Sequence, residues 1–549
     1  MSNYIKSDNV LISILNKYRN VLFIVFILLL NIVIRGLYLD ANPVELDEPF
    51  SIFYSQMGIR EIITGLNGGN NPPLYEIFLH FWIKIFGISS FAVRFPSLLF
   101  SVLNVYFIYL ISKRFFNSRV AILSVILATF SNYHLFFSHE ARVYPLFALL
   151  TTISFYLLFL IIEKKISFQN LSLLFVTYVG LVFSHYFGIF VVAFQAVLLF
   201  SLAFHKTDIL KKYFIIIVGL LLTYAYYIPI VFNRFIDSSQ NGTWLKPVEN
   251  IGNLFDIIFL FSNKNRWVYL VFILLLWSVA WKFFYRLQAN KYIKGFFLFG
   301  IIPLFFLTSY SIFFKIPFIW RLTSAHVYII GFITLILIVY AYQGIIKKNI
   351  NTLQFIITGW FLVPLLLFFI VSFIIPVFLD RYLIFIMPAF YITLALSMNY
   401  LFQSKLSIYL FSILLISIMI FSFNFNVSNN RFANDIINQT KKLRTSETKI
   451  IICPEQYKLT FAYHYNIEYF KDYKNLMFNL NMDKIFPVYN QIELNNILGP
   501  LDNIIYIDAH SDFLYPQNGI YNKLNNSYNL IRKIVFQDST IIYEFKKPK

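Results

Sequence analysis

The sequence predicts a polytopic α-helical membrane protein followed by a small α/β domain. Three observations carry this prediction. Apolar runs near the roughly 20 residues that cross a bilayer recur as far as Asn424. Charged residues make up only 13% of the 549, against roughly 25% in a soluble globular chain. Beyond Asn424, charged and Asn-rich segments alternate with short β-rich runs.

The first apolar run, Val21 to Leu39, reads as a span because no small-residue cleavage site follows it. Lys6, Lys17 and Arg19 precede it, which puts the N-terminus inside and Asp47 and Glu48 outside. The stretch from Leu74 to Gly87 is short, amphipathic and carries Glu76, His80 and Lys84, so it reads as a helix lying in the membrane interface. The cluster Lys113, Arg114 and Arg119 then falls inside. So do Lys164/Lys165, Lys206/Lys211/Lys212, Arg286/Lys291/Lys294, Lys347/Lys348 and Lys405. Had residues 74–87 crossed, every later loop would invert. The agreement gives about 13 spans, near 21–39, 91–111, 120–138, 144–162, 170–184, 187–204, 213–231, 267–285, 296–314, 325–343, 353–375, 382–402 and 406–424. The odd count places the C-terminus outside.

The division is therefore 1–424 for the membrane domain and 425–549 for an extracytoplasmic α/β domain. The latter's β-rich runs are "KIIIC" (449–453), "NIIYIDA" (503–509) and "IVFQDSTIIYEF" (534–545), with helical stretches near 430–443 and 456–466. At about 120 residues it is large enough for its own core.

Several function classes drop out. The net charge of +19 reflects basic residues collected in cytoplasmic loops, not a nucleic-acid surface. A single cysteine, Cys453, excludes an intramolecular disulfide. There is no P-loop, no dinucleotide turn and no clustered Cys/His metal site.

The same topology gathers the unusual polar residues on the outer face. They are Asp47 and Glu48; His139, Glu140 and Arg142; His185 and Tyr186; Arg234, Asp237 and Trp244; Arg321 and His326; and Asp380 with Arg381. Ionisable groups beside the hydrocarbon are costly and tend to mark function. Plainer roles exist for each: an arginine can snorkel, a histidine can be a bonded structural residue, and Glu140 can pair with Arg142. Asp380 and Arg381 can cap the next helix, and Asp47 and Glu48 can cap one starting at Pro49. A cap explains one acid, not an adjacent pair facing so many basic groups.

At this point the chain resembles a family. "LDEPFSIFYSQ", "NNPPLYEIFLHFWIKIFG", "FAVRFPSLLFSVLNVYFIYLISKRFF", "FSHEARVYPLFALLT", "SHYFGIF" and "DRYLIFIMPAF" occur in that order. They look like the C-type (GT-C) glycosyltransferases of the protein-mannosyltransferase and aminoarabinose-transferase group. The resemblance covers most of 20–400 and is densest in 40–190. It implies an enzyme that takes a sugar from a polyprenyl phosphate on the outer face and passes it to a hydroxyl of a lipid, glycan or protein. By motif, Asp47 stands where the family has its catalytic acid, with Glu48 its neighbour. Family members often have His-Pro-Pro-Leu, whereas Asn71 precedes Pro72 here. Asparagine can hydrogen-bond but cannot shuttle a proton.

The implied chemistry is a single inverting displacement in which Asp47 acts as general base and Glu48 orients it. Arg142 and Arg381, with Arg94 and Arg321 behind them, are the candidates to grip the leaving phosphate through bidentate hydrogen bonds. Glu140, His185, Tyr186 and Asn71 are the candidates to touch substrate. Asp47 and Glu48 could also hold a divalent cation, although no complete ligand set is visible. Two alternatives stand beside this reading: an oligosaccharide ligase or polymerase using a diphosphate-linked glycan, and a transporter without chemistry. High Ile, Lys, Asn and Phe suggest an AT-rich bacterial genome; with the spans, the expected location is a bacterial inner membrane, the active site on its extracytoplasmic face.

Overall fold

The computed structural model describes Tyr18 and residues 21–286 and 352–547, apart from 68, 70, 164–165, 204–206, 242–244, 246–247, 249–251, 374, 403, 428–429, 499–502 and 516. Arg321, His326 and the expected spans 296–314 and 325–343 lie outside the described residues, as does Trp244.

Among the described residues, four helices are long and apolar enough to cross a membrane: Ser90–Phe115, Tyr144–Ile162, Thr352–Val371 and Asp380–Leu401. The number rises to seven if each of three bent helix pairs is one span. Val21–Gly36, Phe168–Ser184, Gly188–Leu202 and Lys405–Phe421 are shorter apolar helices. The bends depart from the straight spans expected. The expected span 120–138 breaks into Ser118–Thr129 and Asn132–Ser138, inclined by 62°. Asn263, in the left-handed region at φ 57°, pins that break. Its side chain donates to the Phe130 carbonyl (2.9 Å) and accepts from the Asn132 N–H (2.8 Å). Ser131 then caps the second helix by accepting from the His134 N–H.

Leu74–Phe86 is a helix of 13 residues. At 1.5 Å per residue it is about 20 Å long, short of the roughly 30 Å of hydrocarbon. It stops at Gly87, whose φ of +76° an L side chain rarely adopts. Ser89 caps the next helix, Ser90–Phe115, by accepting from Ala92. This sharp turn places Arg94, one turn in, beneath the first loop.

The first helix is held by a buried arginine. Arg35 is fully buried and donates to Ser101 Oγ (3.0 Å), the Ala128 carbonyl (3.2 Å) and Asn31. A guanidinium in this position orders three helices at once.

The C-terminal part contains one five-stranded sheet among the described residues. Its strands are β1 (Thr448–Cys453), β2 (Ile485–Pro487), β3 (Asn503–Asp508), β4 (Asn529–Val535) and β5 (Ile541–Lys546), in the order β2-β1-β3-β5-β4. β1 runs parallel to β2 and β3, while β5 is antiparallel to β3 and β4. The run 534–545, read from sequence as one segment, is the end of β4, a turn held by Asp538, and β5. Alternation of side chains sorts the strands into two faces. Ile450, Ile452, Ile505, Ile507 and Ile542 join a core that continues through Phe461 and Phe470 into the helical bundle. Ile451, Cys453, Ile504, Tyr506 and Phe545 form a second core with Leu524.

Candidate active site

The first loop turns into a short helix, Glu48–Ser55, with Pro49 in its first turn. Asp47 occupies the N-cap position but makes no side-chain capping bond. Its carboxylate points elsewhere. Oδ2 is in direct contact with Arg381 Nη1 and lies 3.9 Å from Arg142 Nη2. The Asp47 side chain is 43% exposed, in contrast with its neighbour.

Glu48 is completely buried. Arg94 binds it with two parallel bonds, Nε to Oε1 (2.8 Å) and Nη2 to Oε2 (2.7 Å). The Ala141 N–H donates to Oε1 (2.8 Å) and Arg431 Nη1 to Oε2 (2.5 Å). Burial alone would raise this carboxyl, but the two guanidiniums hold it well below the usual carboxylate range. Glu48 is therefore a permanent anion without a free oxygen. It cannot share a cation with Asp47. Among the described residues, no group of three His, Cys, Asp or Glu side chains is arranged for a metal ion.

Arg94 must be corrected as a phosphate ligand. Its remaining N–H groups go to the carbonyls of Leu39 (2.8 Å), Asn42 (2.9 Å) and Pro43 (2.9 Å). All five donors of the guanidinium are thus in use. Arg94 ties the loop to the membrane domain instead.

Arg142 is buried beside Asp47. Nη1 donates to Ser51 Oγ (2.7 Å) and to the Asp47 carbonyl (3.2 Å), and the guanidinium lies 5.8 Å from the Tyr144 ring centre. Ser51 Oγ in turn donates a hydrogen bond to Glu76 Oε1 (2.8 Å). Burial raises the Glu76 carboxyl, opposed by Arg142. Four atoms here are buried with no hydrogen-bond partner: Arg142 Nε, Glu76 Oε2, Asn71 Oδ1 and His185 Nε2. Such atoms are costly in an apolar site, so a cluster of them is a feature to explain.

His185 ends the Phe168–Ser184 helix, stacked on Phe147 at 4.8 Å and edge-on to Tyr382 at 5.6 Å. Burial, with Arg142 and Arg381 nearby, pushes its pKa down to about 3. It is a neutral imidazole with Nδ1 accepting from the Phe187 N–H (3.2 Å), which leaves the proton on Nε2. Tyr186 reaches the Gly69 carbonyl at 3.4 Å. Glu140 does not pair with Arg142; it is buried against Arg431.

The structure thus brings together Asp47, Arg142, Arg381 and His185, and sets Glu48, Arg94 and Glu140 one layer behind. Sequence reasoning missed Ser51, Glu76 and Arg431. Glu76 had a visible signal, an acid on the helix after the double proline. Arg431 had none, since it lies in an Asn-rich segment 383 residues from Glu48.

Comparison with known proteins agrees with this architecture. Residues 70–232 match the family model for dolichyl-phosphate-mannose-protein mannosyltransferases. No curated protein matches the chain by sequence. Among solved structures, the fold is similar to that of ArnT from Cupriavidus metallidurans bound to undecaprenyl phosphate. The TM-score is 0.54 and the identity 10%, over 95% of this chain and 98% of that one. The oligosaccharyltransferase AglB from Archaeoglobus fulgidus, in complex with an inhibitory peptide and a dolichol-phosphate, is also matched. Its TM-score is 0.47 at 10% identity, over 95% of this chain and 74% of that one, too low to argue from. The family match extends over residues 70–232 of the 549, and the likeness to ArnT is one of fold.

Proposed function

We propose that this protein transfers a sugar from a polyprenyl-phosphate donor to an acceptor hydroxyl at the outer face of a bacterial inner membrane, with Asp47 as general base. One observation carries the reading. Of two adjacent acids, Glu48 is sealed among arginines, while Asp47 is half-exposed and faces Arg142 and Arg381. Of the two, only Asp47 has an exposed carboxylate, with Oδ2 on the arginines and Oδ1 outside those ion pairs.

The chemistry follows from that arrangement. The acceptor oxygen attacks the anomeric carbon, its proton passes to Asp47 Oδ1, and the bond from that carbon to the phosphate oxygen breaks. Attack from the side opposite the leaving group inverts the carbon. The departing polyprenyl phosphate carries its negative charge to Arg142 and Arg381, whose planar guanidiniums suit phosphate geometry. Both arginines hold Asp47 in the resting protein, so an incoming phosphate competes for them and frees the base. The partnerless Arg142 Nε and His185 Nε2 supply further donors beside that phosphate. Asn71 and Glu76 offer acceptors to sugar or acceptor hydroxyls, and Tyr186 borders the same loop.

The test uses purified protein in lipid nanodiscs with radiolabelled donors. A polyprenyl-monophosphate sugar should be consumed and a diphosphate-linked glycan should not. Asp47→Asn should bind donor normally and lose at least about 10²-fold in turnover, the lower end of general-base assistance. Near-normal turnover by that variant would refute the base.

A further inference from the structure

We infer that Arg431 is a positioning residue for the loop that carries Asp47, and that through it the C-terminal α/β unit activates the membrane domain within the same chain. The inference rests on the reading of Asp47 as base. Arg431 lies between the Lys405–Phe421 and Ala433–Leu443 helices, and is buried. It reaches three groups of the membrane domain: Glu48 Oε2 (2.5 Å), the Pro43 carbonyl (3.2 Å) and Glu140.

The charges explain why this contact matters. Glu48 and Glu140 are both buried. Arg94 is bound to Glu48 alone among acids. Two carboxylates are matched by two guanidiniums only when Arg431 is in place. Without it, Glu140 is a buried acid lacking its ion-pair partner, and Glu48 keeps only Arg94. A buried charge left unpaired distorts or repels what surrounds it.

Arg431 is one of a series of contacts on both sides of Asp47. Asn42 Nδ2 donates to Asn426 Oδ1 (2.6 Å), and His464 Nε2 bonds the Val44 carbonyl (2.8 Å). Glu45 Oε2 accepts from the N–H groups of Phe432 (3.1 Å) and Ala433 (3.3 Å), the start of the helix that follows Arg431. Beyond Asp47, Gln56 Nε2 donates to the Phe470 carbonyl (3.1 Å), and Phe53 meets the Phe470 ring at 5.7 Å. Arg431 is the buried ionic member of this set, and the only one that touches the residue directly following Asp47. The loop around Asp47 is therefore held at its Leu39, Asn42 and Pro43 carbonyls and at Glu48 by Arg94 from the membrane domain, and at Pro43 and Glu48 by Arg431 from the C-terminal side.

The test is a set of variants in the full chain: Arg431→Met, Arg431→Lys, Arg431→Met/Glu140→Gln, Asp47→Asn and Asp47→Asn/Arg431→Met. Turnover, donor Kd and thermal midpoint are measured for each. Arg431→Met should lower kcat by about 10²-fold, the effect of misplacing a catalytic group by about 1 Å. Donor Kd should stay within about threefold, since Arg142 and Arg381 are untouched. Adding Glu140→Gln removes the stranded acid and should restore at least about tenfold of the lost rate. Adding Arg431→Met to Asp47→Asn should cost no further rate, because both act through one group. Should Arg431→Met fail to fold, Arg431→Lys keeps the charge but not the bridge, and should fold with kcat reduced about tenfold. A wild-type kcat for either Arg431 variant, or losses that multiply with Asp47→Asn, overturns the inference. Near-normal turnover by Asp47→Asn alone overturns the base assignment instead.

Discussion

Replacing Glu48 by glutamine separates the two acids of the first loop. Four hydrogen bonds end on Glu48, three of them from the guanidiniums of Arg94 and Arg431, in a fully buried site. Glutamine keeps one acceptor oxygen but turns an N–H₂ group towards donors, and leaves Arg94 without its acid. Breaking a buried ion pair from one side costs about 3–5 kcal/mol. Asp47→Asn breaks a half-exposed contact, worth about 0–1 kcal/mol. Both variants should lose transfer, so activity alone cannot tell them apart. Thermal unfolding in detergent, followed by tryptophan fluorescence, can. Glu48→Gln should melt far below wild type, whereas Asp47→Asn should melt close to it. If Glu48→Gln melts with wild type and fails only in turnover, Glu48 takes part in the chemistry and its assignment as a buried anchor is wrong.

Three further outcomes are expected. Arg142→Lys should weaken donor binding by about tenfold or more although the charge is kept, because an ammonium loses the planar fork; donor titration of the purified variant checks this. Burial lifts the Glu45 carboxyl to about 7, against hydrogen bonds from Ala433 and Phe432 and the charge of Arg431 that pull it down. A raised carboxyl contributes stability that is complete below its ordinary pKa and fades as pH rises through about 7. The thermal midpoint of Glu45→Gln should therefore gain on that of the wild type as pH rises from about 4.5 to 7; the difference between the two proteins cancels the buried histidines, whose lowered pKa values act with the opposite sign. Finally, a cysteine introduced at Asn67 should be labelled from outside intact cells and one at Lys113 should not. Native Cys453 is buried and should not compete. The reverse pattern would invert the topology.

Local pattern made much of the fold legible. The long apolar helices announce themselves by hydropathy, and β1, β3 and β5 by their isoleucine runs; β2, only three residues long, was not legible. The bends were not legible, because they depend on groups such as Asn263 and Ser131 that meet only after folding. The site divides in the same way. Asp47 and Glu48 stood out as acids in an acid-poor chain, yet their separate environments are set by arginines 46 and 383 positions from Glu48. Arg94 looked like a phosphate ligand because it is an arginine near the outer face. Its donors are taken by carbonyls of the first loop, which sequence cannot reveal. Glu140 and Arg142 looked like partners by spacing, but the turn between them sends one to Arg431 and the other to Asp47.

The distance along the chain between Glu48 and Arg431 also sets an order of assembly. The first loop is made when most of the polypeptide has yet to be synthesised. Until Arg431 arrives, after the Lys405–Phe421 helix, Glu48 has only Arg94 and Glu140 lacks its ion-pair partner. A chain truncated ahead of residue 431 would contain every group that faces the donor and still lack a settled loop. On the proposed function, transfer would begin only in molecules whose synthesis had passed that point.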